Sequence, residues 1–228
     1  MAQQALFHDT DREFSTAAYR VEAATILRRC LLVGADRPSQ EAVDLLDTSI
    51  TSWFHRLPAS MRGTLHYTGE VNEMAFQAQM IMHCASIYLH FPQSYLLTFL
   101  PKSSALLCAR PPNLVLPSVN SHLHSSKVLN AAISLSKLAS LSTSTVGHSP
   151  FFVCTLVISS TIQLAMLSIE QQRASNIWHY LSLNIGTIKS LAGTWRIAAN
   201  STERIRSVVT EVKGALEGGS VQPVDEIA

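Results

Sequence analysis

Glu70-Val-Asn-Glu-Met-Ala-Phe-Gln-Ala-Gln-Met-Ile-Met-His-Cys-Ala-Ser-Ile-Tyr-Leu-His-Phe-Pro92 has the pattern of one long amphipathic helix. Val71, Met74, Ala75, Ala78, Met82, Ala85 and Leu89 recur at three- and four-residue steps, which places them on one apolar stripe of a helix. Glu70 and Glu73 stand in its first turn, where carboxylates suit the exposed amides and the positive end of the helix dipole. Pro92 closes it. An apolar stripe of this length is stable only against partner helices, so the rest of the chain is expected to supply them.

The flanking segments carry the same helical spacing. Residues 15–33 read as a helix that stops at Gly34. A second follows, with Ser39 as N-cap, Glu41 and Asp44 in its first turns, and Ala42, Leu46, Ile50, Trp53 and Leu57 as its buried face before Pro58. Residues 61–69 read as a connecting loop. Pro101, Pro111, Pro112 and Pro117 remove backbone donors from 101–121 and predict a long loop, either a surface excursion or a place for a partner.

Helix returns over 122–141, with Val128, Leu129, Ala132, Leu135 and Leu138 inward, and breaks at the serine-rich 140–144 and Gly147. Ser149 then suits an N-cap and Pro150 the first helical position of a long helix, where a missing amide costs nothing. Two further helices are expected over 173–192 and 199–216. The first turns Ile177, Leu181, Ile188, Leu191 and Trp195 inward, the second Ile205, Val208, Val209 and Val212. The chain therefore reads as all-α, an irregular multi-helix bundle, divided into an N-terminal helical segment (1–38), a helical body (39–217) and a disordered tail (218–228).

One segment also calls for a membrane test. Residues 138–169 hold no Asp, Glu, Lys or Arg, and 151–169 are mainly apolar. Yet six of those nineteen residues are Ser, Thr or Gln, Thr155, Ser159 and Gln163 fall on one face, and no basic cluster flanks the stretch. The pattern favours a buried central helix with a tight or hydrogen-bonded contact along that stripe.

Composition excludes several function classes. With 47% hydrophobic and 14% charged residues in 228, there is ample material for a core. The net charge of +1 and a longest basic run of Arg28-Arg29 offer nucleic acid no electrostatic footprint, so direct DNA binding is not expected. No secretory leader is read at the N-terminus. Cys30, Cys84, Cys108 and Cys154 are widely spaced and read as reduced, small core residues.

No catalytic constellation appears either. Gly147-His-Ser-Pro-Phe151 lacks the second glycine and preceding strand of a nucleophile elbow, and its proline opposes the required turn. His122 with His124, and His83 with His90, lack the spacing and carboxylate of a zinc site. There is no phosphate-cradling glycine loop. The reading is of a protein that is not an enzyme, with no catalytic, cofactor or metal site.

Five segments together resemble a known family. Ile81–Pro92 ends in the turn Leu89-His90-Phe91-Pro92, and Leu46-Asp-Thr-Ser-Ile-Thr-Ser-Trp-Phe-His-Arg-Leu-Pro58 is a "helix, Trp, Leu-Pro" element. Ser149-Pro-Phe-Phe-Val-Cys-Thr-Leu-Val-Ile-Ser-Ser160 and the helix Leu183–Leu191 with Trp195, followed by the basic amphipathic end around Arg204, complete the series. In chain order, over about 40–215, they resemble the regulatory, fungal-specific domain of fungal zinc binuclear cluster transcription factors. The weight lies in the succession, since each piece alone is helix patterning.

That resemblance implies a nuclear regulator of metabolic or secondary-metabolite gene clusters. It would act through protein partners or self-association along helix faces, with room for a small-molecule effector. The family's DNA-reading module is six closely spaced cysteines sharing two zinc ions, whereas Cys84 and Cys108, the nearest pair here, stand 24 residues apart. The expectation is therefore a regulator without its own DNA-binding cluster. The competing readings are a membrane-associated helical protein, resting on 138–169, and a non-functional truncated fragment or mis-predicted start.

Overall fold

The computed structural model describes residues 15–35, 39–64, 71–101, 120–141, 149–169 and 174–218. Among them are eight α-helices and no strand: α1 Thr16–Ala35, α2 Gln40–Arg56, α3 Ala59–Arg62, α4 Glu73–His90, α5 Ser121–Leu141, α6 Pro150–Leu167, α7 Ala174–Leu191 and α8 Arg196–Gly218. The all-α, multi-helix reading holds. Two 3-10 turns, Phe91–Gln93 and Tyr95–Phe99, follow α4. The proline-rich segment expected as a loop and the expected tail fall almost wholly outside the described residues, as do Glu70 and Cys108.

The helices surround two apolar cores with α4 between them. Ala75, Ala78, Met82, Ala85 and Leu89 join Tyr19, Ala23, Ile26 and Cys30 of α1, Val43, Leu46, Ile50 and Trp53 of α2, and Met61 of α3. On the other side Phe76, Met80, Cys84 and Ile87 join α5, α6, α7 and α8. The expected stripe is thus one wall of the smaller core, although Met74 is 39% exposed and Val71 packs on the larger one. A second stripe, one residue out of phase, went unread, because a helix buried on two sides is apolar almost all round and shows no single face.

Small side chains let α1 lie along α4. Ala23, Ala75, Ala78 and Ala85 are fully buried in this contact region, and α1 touches α4 more extensively than any other helix. α2 is held to α1 by Trp53, whose Nε1 donates to the Tyr19 carbonyl at 3.3 Å while the Tyr19 hydroxyl donates to the Arg56 carbonyl at 3.3 Å. Of the expected α2 face, Leu46, Ile50, Trp53 and Leu57 are buried, and Val43 replaces the half-buried Ala42. Ser39 caps α2 by accepting from the Ala42 amide at 3.2 Å.

The reading of 61–69 as loop needs correction at its start. Pro58 is the N-cap of the one-turn α3, whose end is clamped when Gln79 of α4 donates to the Met61 carbonyl at 2.6 Å. A proline that ends one helix can begin the next, since its fixed φ suits both roles. Pro92 does something similar. α4 stops at His90, and the chain continues as a 3-10 turn in which Pro92 takes an early position. Ser94 and Ser125 then pair at 2.7 Å and pin that turn to α5.

α6 is the centre of the larger core. It is long and apolar enough to cross a membrane, with mean hydropathy 1.8, yet 83% of that window is buried among the other helices. It packs against α5, α7 and α8, and Phe76 meets Phe152 edge-to-face at 5.3 Å to fix it to α4. Ser149 occupies the expected N-cap position, but its hydroxyl accepts no cap hydrogen bond. Pro150, which has no amide to satisfy, sits at the start of the helix.

The expected polar stripe of α6 is a buried seam. Ser159 donates to the Ala132 carbonyl at 2.8 Å, Gln163 donates to Ser136 at 2.8 Å, and the Asn184 amide donates to Ser159 at 3.0 Å. All four side chains, Ser136, Ser159, Gln163 and Asn184, are fully buried. Thr155 takes no part, for its hydroxyl bonds back to the Phe152 carbonyl. Such a seam sets the register of α5, α6 and α7, because sliding any helix would leave buried polar groups unpaired. On α7 and α8 the expected inward residues Ile177, Leu181, Ile188, Leu191, Ile205, Val208 and Val212 are buried, while Trp195 and Val209 are only partly covered.

Removing Asn184 should therefore be costly. Asn184→Ala is expected to lower unfolding free energy by about 1–3 kcal/mol in urea denaturation, whereas Asn200→Ala on the exposed face of α8 should stay within about 0.5 kcal/mol. Equal losses in the two variants would show that the seam does not set the helix register.

Candidate functional site

Where the two cores meet, α2, α4 and α5 bring four polar side chains together. Asp47 projects from α2, His90 ends α4, and His124 and Lys127 stand one turn apart on α5. His90 Nε2 lies 3.0 Å from Asp47 Oδ1, His90 Nδ1 lies 3.0 Å from His124 Nδ1, and Lys127 Nζ lies 2.5 Å from Asp47 Oδ2. His90 and His124 are buried, with exposures of 1% and 4%. The sequence sets no carboxylate near these histidines, but the fold supplies one: His90 and His124 are buried, and His124 reaches the Asp47 carboxylate through His90.

The proton positions follow from the donors available. Burial alone would raise the Asp47 carboxyl, but the hydrogen bonds and charges of Lys127 and His90 together outweigh it and hold the group below its ordinary value. As a carboxylate, Asp47 can only accept. Burial pushes His90 down to about 4 despite the opposing pull of Asp47, so near neutral pH its one proton sits on Nε2 and is donated to Asp47. His90 Nδ1 must then accept, and His124, whose pKa is lowered by burial and by Lys127, donates from its own Nδ1. That leaves His124 Nε2 as a bare acceptor, which has no protein partner. The result is a directional chain of hydrogen bonds from His124 through His90 to Asp47.

A cleft of about 280 Å³ opens beside this chain, lined by Asp47 and Lys127 at one side and by Phe54, His83, Asn130 and Ser134 among others. The Phe54 and His83 rings lie 5.0 Å apart at 34°. Burial lowers His83 to about 4, so it is neutral there. His122, the other half of the considered His122/His124 pair, packs instead on Tyr95 at 4.9 Å. Among the described residues no three His, Cys, Asp or Glu side chains form a group that could hold a metal.

Chemically the cluster has a hydrogen-bond chain but no activated nucleophile. Its hydroxyl neighbours in the cleft carry no base within bonding distance, and Cys30 and Cys84 are thiols whose burial pushes them up, Cys30 to about 12 and Cys84 well above its ordinary value. Sequence spacing offered little warning of the assembly. Asp47 and His90 are separated by 43 positions and His90 and His124 by 34, and only the His124/Lys127 step on one helix was locally visible.

Comparison with known proteins bears on what such a scaffold is for. The chain is 31% identical over 209 residues to the "C6 finger domain transcription factor iacK" of Pestalotiopsis fici (strain W106-1 / CGMCC3.15140), a match that spans 91% of this chain and 31% of that protein. The chain thus covers about a third of the length of the relative it matches and is homologous to part of it. No protein-family model matches. No solved structure matches.

The buried histidines make stability depend on pH. The unfolded chain takes up a proton at His90 below about 6.5, while the folded chain resists until about 4, so stability falls as pH drops through that window, by on the order of 3 kcal/mol for this one group. Asp47, held low, adds a further loss only below its ordinary value of 3.8. Urea midpoints are expected to fall steadily from pH 7 to pH 4.5, and His90→Gln should flatten the slope to what His83 and His124 contribute. A slope unchanged in His90→Gln would contradict the assignment.

Proposed function

We propose that this chain is a helical regulatory region of a fungal transcription factor of the six-cysteine zinc-cluster type. It works in the nucleus, controls a metabolic or secondary-metabolite gene cluster, and acts through protein contacts instead of enzymatic chemistry. The observation that carries this reading is the 31% identity, which runs along 91% of the chain to a C6 finger domain transcription factor. The all-α architecture and the ordered series of five resembling segments support it.

The segments of that series supply structural parts. Trp53 and Leu57 belong to the smaller core, and Leu89, His90 and Phe91 sit where the two cores meet. They are the residues a helical scaffold of this kind needs for packing, with no demand that they touch a ligand or DNA. Regulation through protein contacts fits the large apolar side chains left exposed on α1 and α2, Val21 at 66%, Leu32 at 57% and Leu45 at 64%.

DNA reading is assigned to residues other than these. Four cysteines at wide spacing cannot form the two-zinc cluster, and a net charge of +1 provides little phosphate attraction. On this reading the zinc cluster belongs to a further part of the factor or to a partner.

Two measurements test the proposal together. In a gel-shift assay the 228-residue chain should form no sequence-specific complex. Fused to an unrelated DNA-binding domain, it should raise or lower output from that domain's reporter relative to the domain alone. A specific, salt-sensitive complex formed by the chain itself would overturn the assignment, as would a fusion that leaves reporter output unchanged.

A further inference from the structure

The cleft between α2, α4 and α5 has features that packing does not use. The Asp47 carboxylate and the Lys127 ammonium on its wall are already paired with each other, and His55 and His83 line it as well. Ile50, Phe54 and Ala131 give the wall its apolar part, beside the His83 ring that stands against Phe54, with Thr51 and His55 also lining it. Within the described residues, the Ser86 hydroxyl, the Asn130 amide and the Ser134 hydroxyl face this space without a hydrogen-bond partner. Asn130 and Ser134 follow Lys127 along one stripe of α5, at three- and four-residue steps.

We propose that this cleft binds a small neutral aromatic molecule bearing hydroxyl or carbonyl groups. Each property of the ligand answers one property of the walls. Neutrality follows because an anion would meet the Asp47 carboxylate and a cation the Lys127 ammonium, each at the cost of a pair already made. Aromaticity follows from the Phe54 and His83 rings, which offer flat or edge-on packing beyond simple area burial. The hydroxyl or carbonyl groups are required by Ser86, Asn130 and Ser134, which have donors and acceptors to spare. The volume of about 280 Å³ lies at the low end for ligand sites and limits the occupant to about one ring with short substituents.

The position gives such a molecule leverage. The cleft is walled by α2 of the smaller core, α5 of the larger core and α4, which belongs to both, so an occupant braces the two cores against each other. That this bracing regulates transcription rests on the function proposed above, whereas binding itself does not.

Methyl-resolved NMR on the 228-residue chain tests binding directly, with Ile50 and Ala131 as reporters in the cleft and Ile26, which lines a separate groove between α1 and α2, as the control. Methyl 4-hydroxybenzoate is expected to shift Ile50 and Ala131 saturably and to leave Ile26 in place. The 4-hydroxybenzoate anion and cyclohexanol, which lack neutrality and aromaticity respectively, should each bind more weakly. Asn130→Ala, at an exposed helix position that should not disturb the fold, is expected to weaken binding roughly three- to tenfold. Absence of saturable shifts, equal movement of Ile26, or unchanged affinity in Asn130→Ala would overturn the proposal. Those results would leave the transcription reading untouched, because that reading is tested by the reporter fusion alone.

Discussion

Everything in this fold hangs on α4 being buried along two sides at once. One face meets α1, α2 and α3 through small residues and Met82, and the other meets α5 to α8 through Phe76, Met80, Cys84 and Ile87. Each buried large apolar side chain contributes about 1.5–3 kcal/mol, so a helix with two such faces is worth much more in place than alone. The fully buried alanines on the α1 side admit a close helix approach that larger residues would prevent.

Apolar packing of this kind fixes contact but not register, and the polar groups supply the register. Ser136, Ser159, Gln163 and Asn184 set how α5, α6 and α7 slide past one another, since Ser159 with the Ala132 carbonyl, Gln163 with Ser136 and the Asn184 amide nitrogen with Ser159 meet in one alignment, although Asn184 Oδ1 has no protein partner. Asp47, His90, His124 and Lys127 do the same at the junction of the cores. There the carboxylate is shared between a buried imidazole and an ammonium, which ties α2 to the end of α4 and to α5. A helix as apolar as α6 passes a composition test for membrane spanning, but its seam is satisfied only by neighbouring helices.

The helices themselves were legible because local chemistry marks their ends. Ser39 caps α2, Pro150 opens α6, and the inward residues of α7 and α8 keep helical spacing. What escaped was whatever depends on more than one helix. The second face of α4 hides behind the first, α3 is too short to show a period, and helical spacing alone puts Trp195 and Val209 deeper than they lie. The cleft and its cluster escaped for the same reason. Asp47, His90 and His124 acquire their roles only when three helices converge, and a solitary histidine in an apolar run carries no local sign of the partner it will meet. The polar stripe of α6 was visible in outline, yet its main partner, Asn184, lies on another helix.

The scaffold that results is a pair of cores joined by one shared helix, with a small polar cluster and an open cleft at the joint. This suits a protein whose task is to hold surfaces in a fixed relation and respond at a junction, which is the task proposed for it. Hydrogen exchange followed in rising urea tests the shared-helix account most directly, by comparing slow amides of α1 in the smaller core with those of α7 in the larger one. If α4 welds the cores together, both sets should lose protection at the same urea concentration and with the same dependence on it. Loss of protection in α1 at a distinctly lower urea concentration, with α7 still intact, would contradict the account.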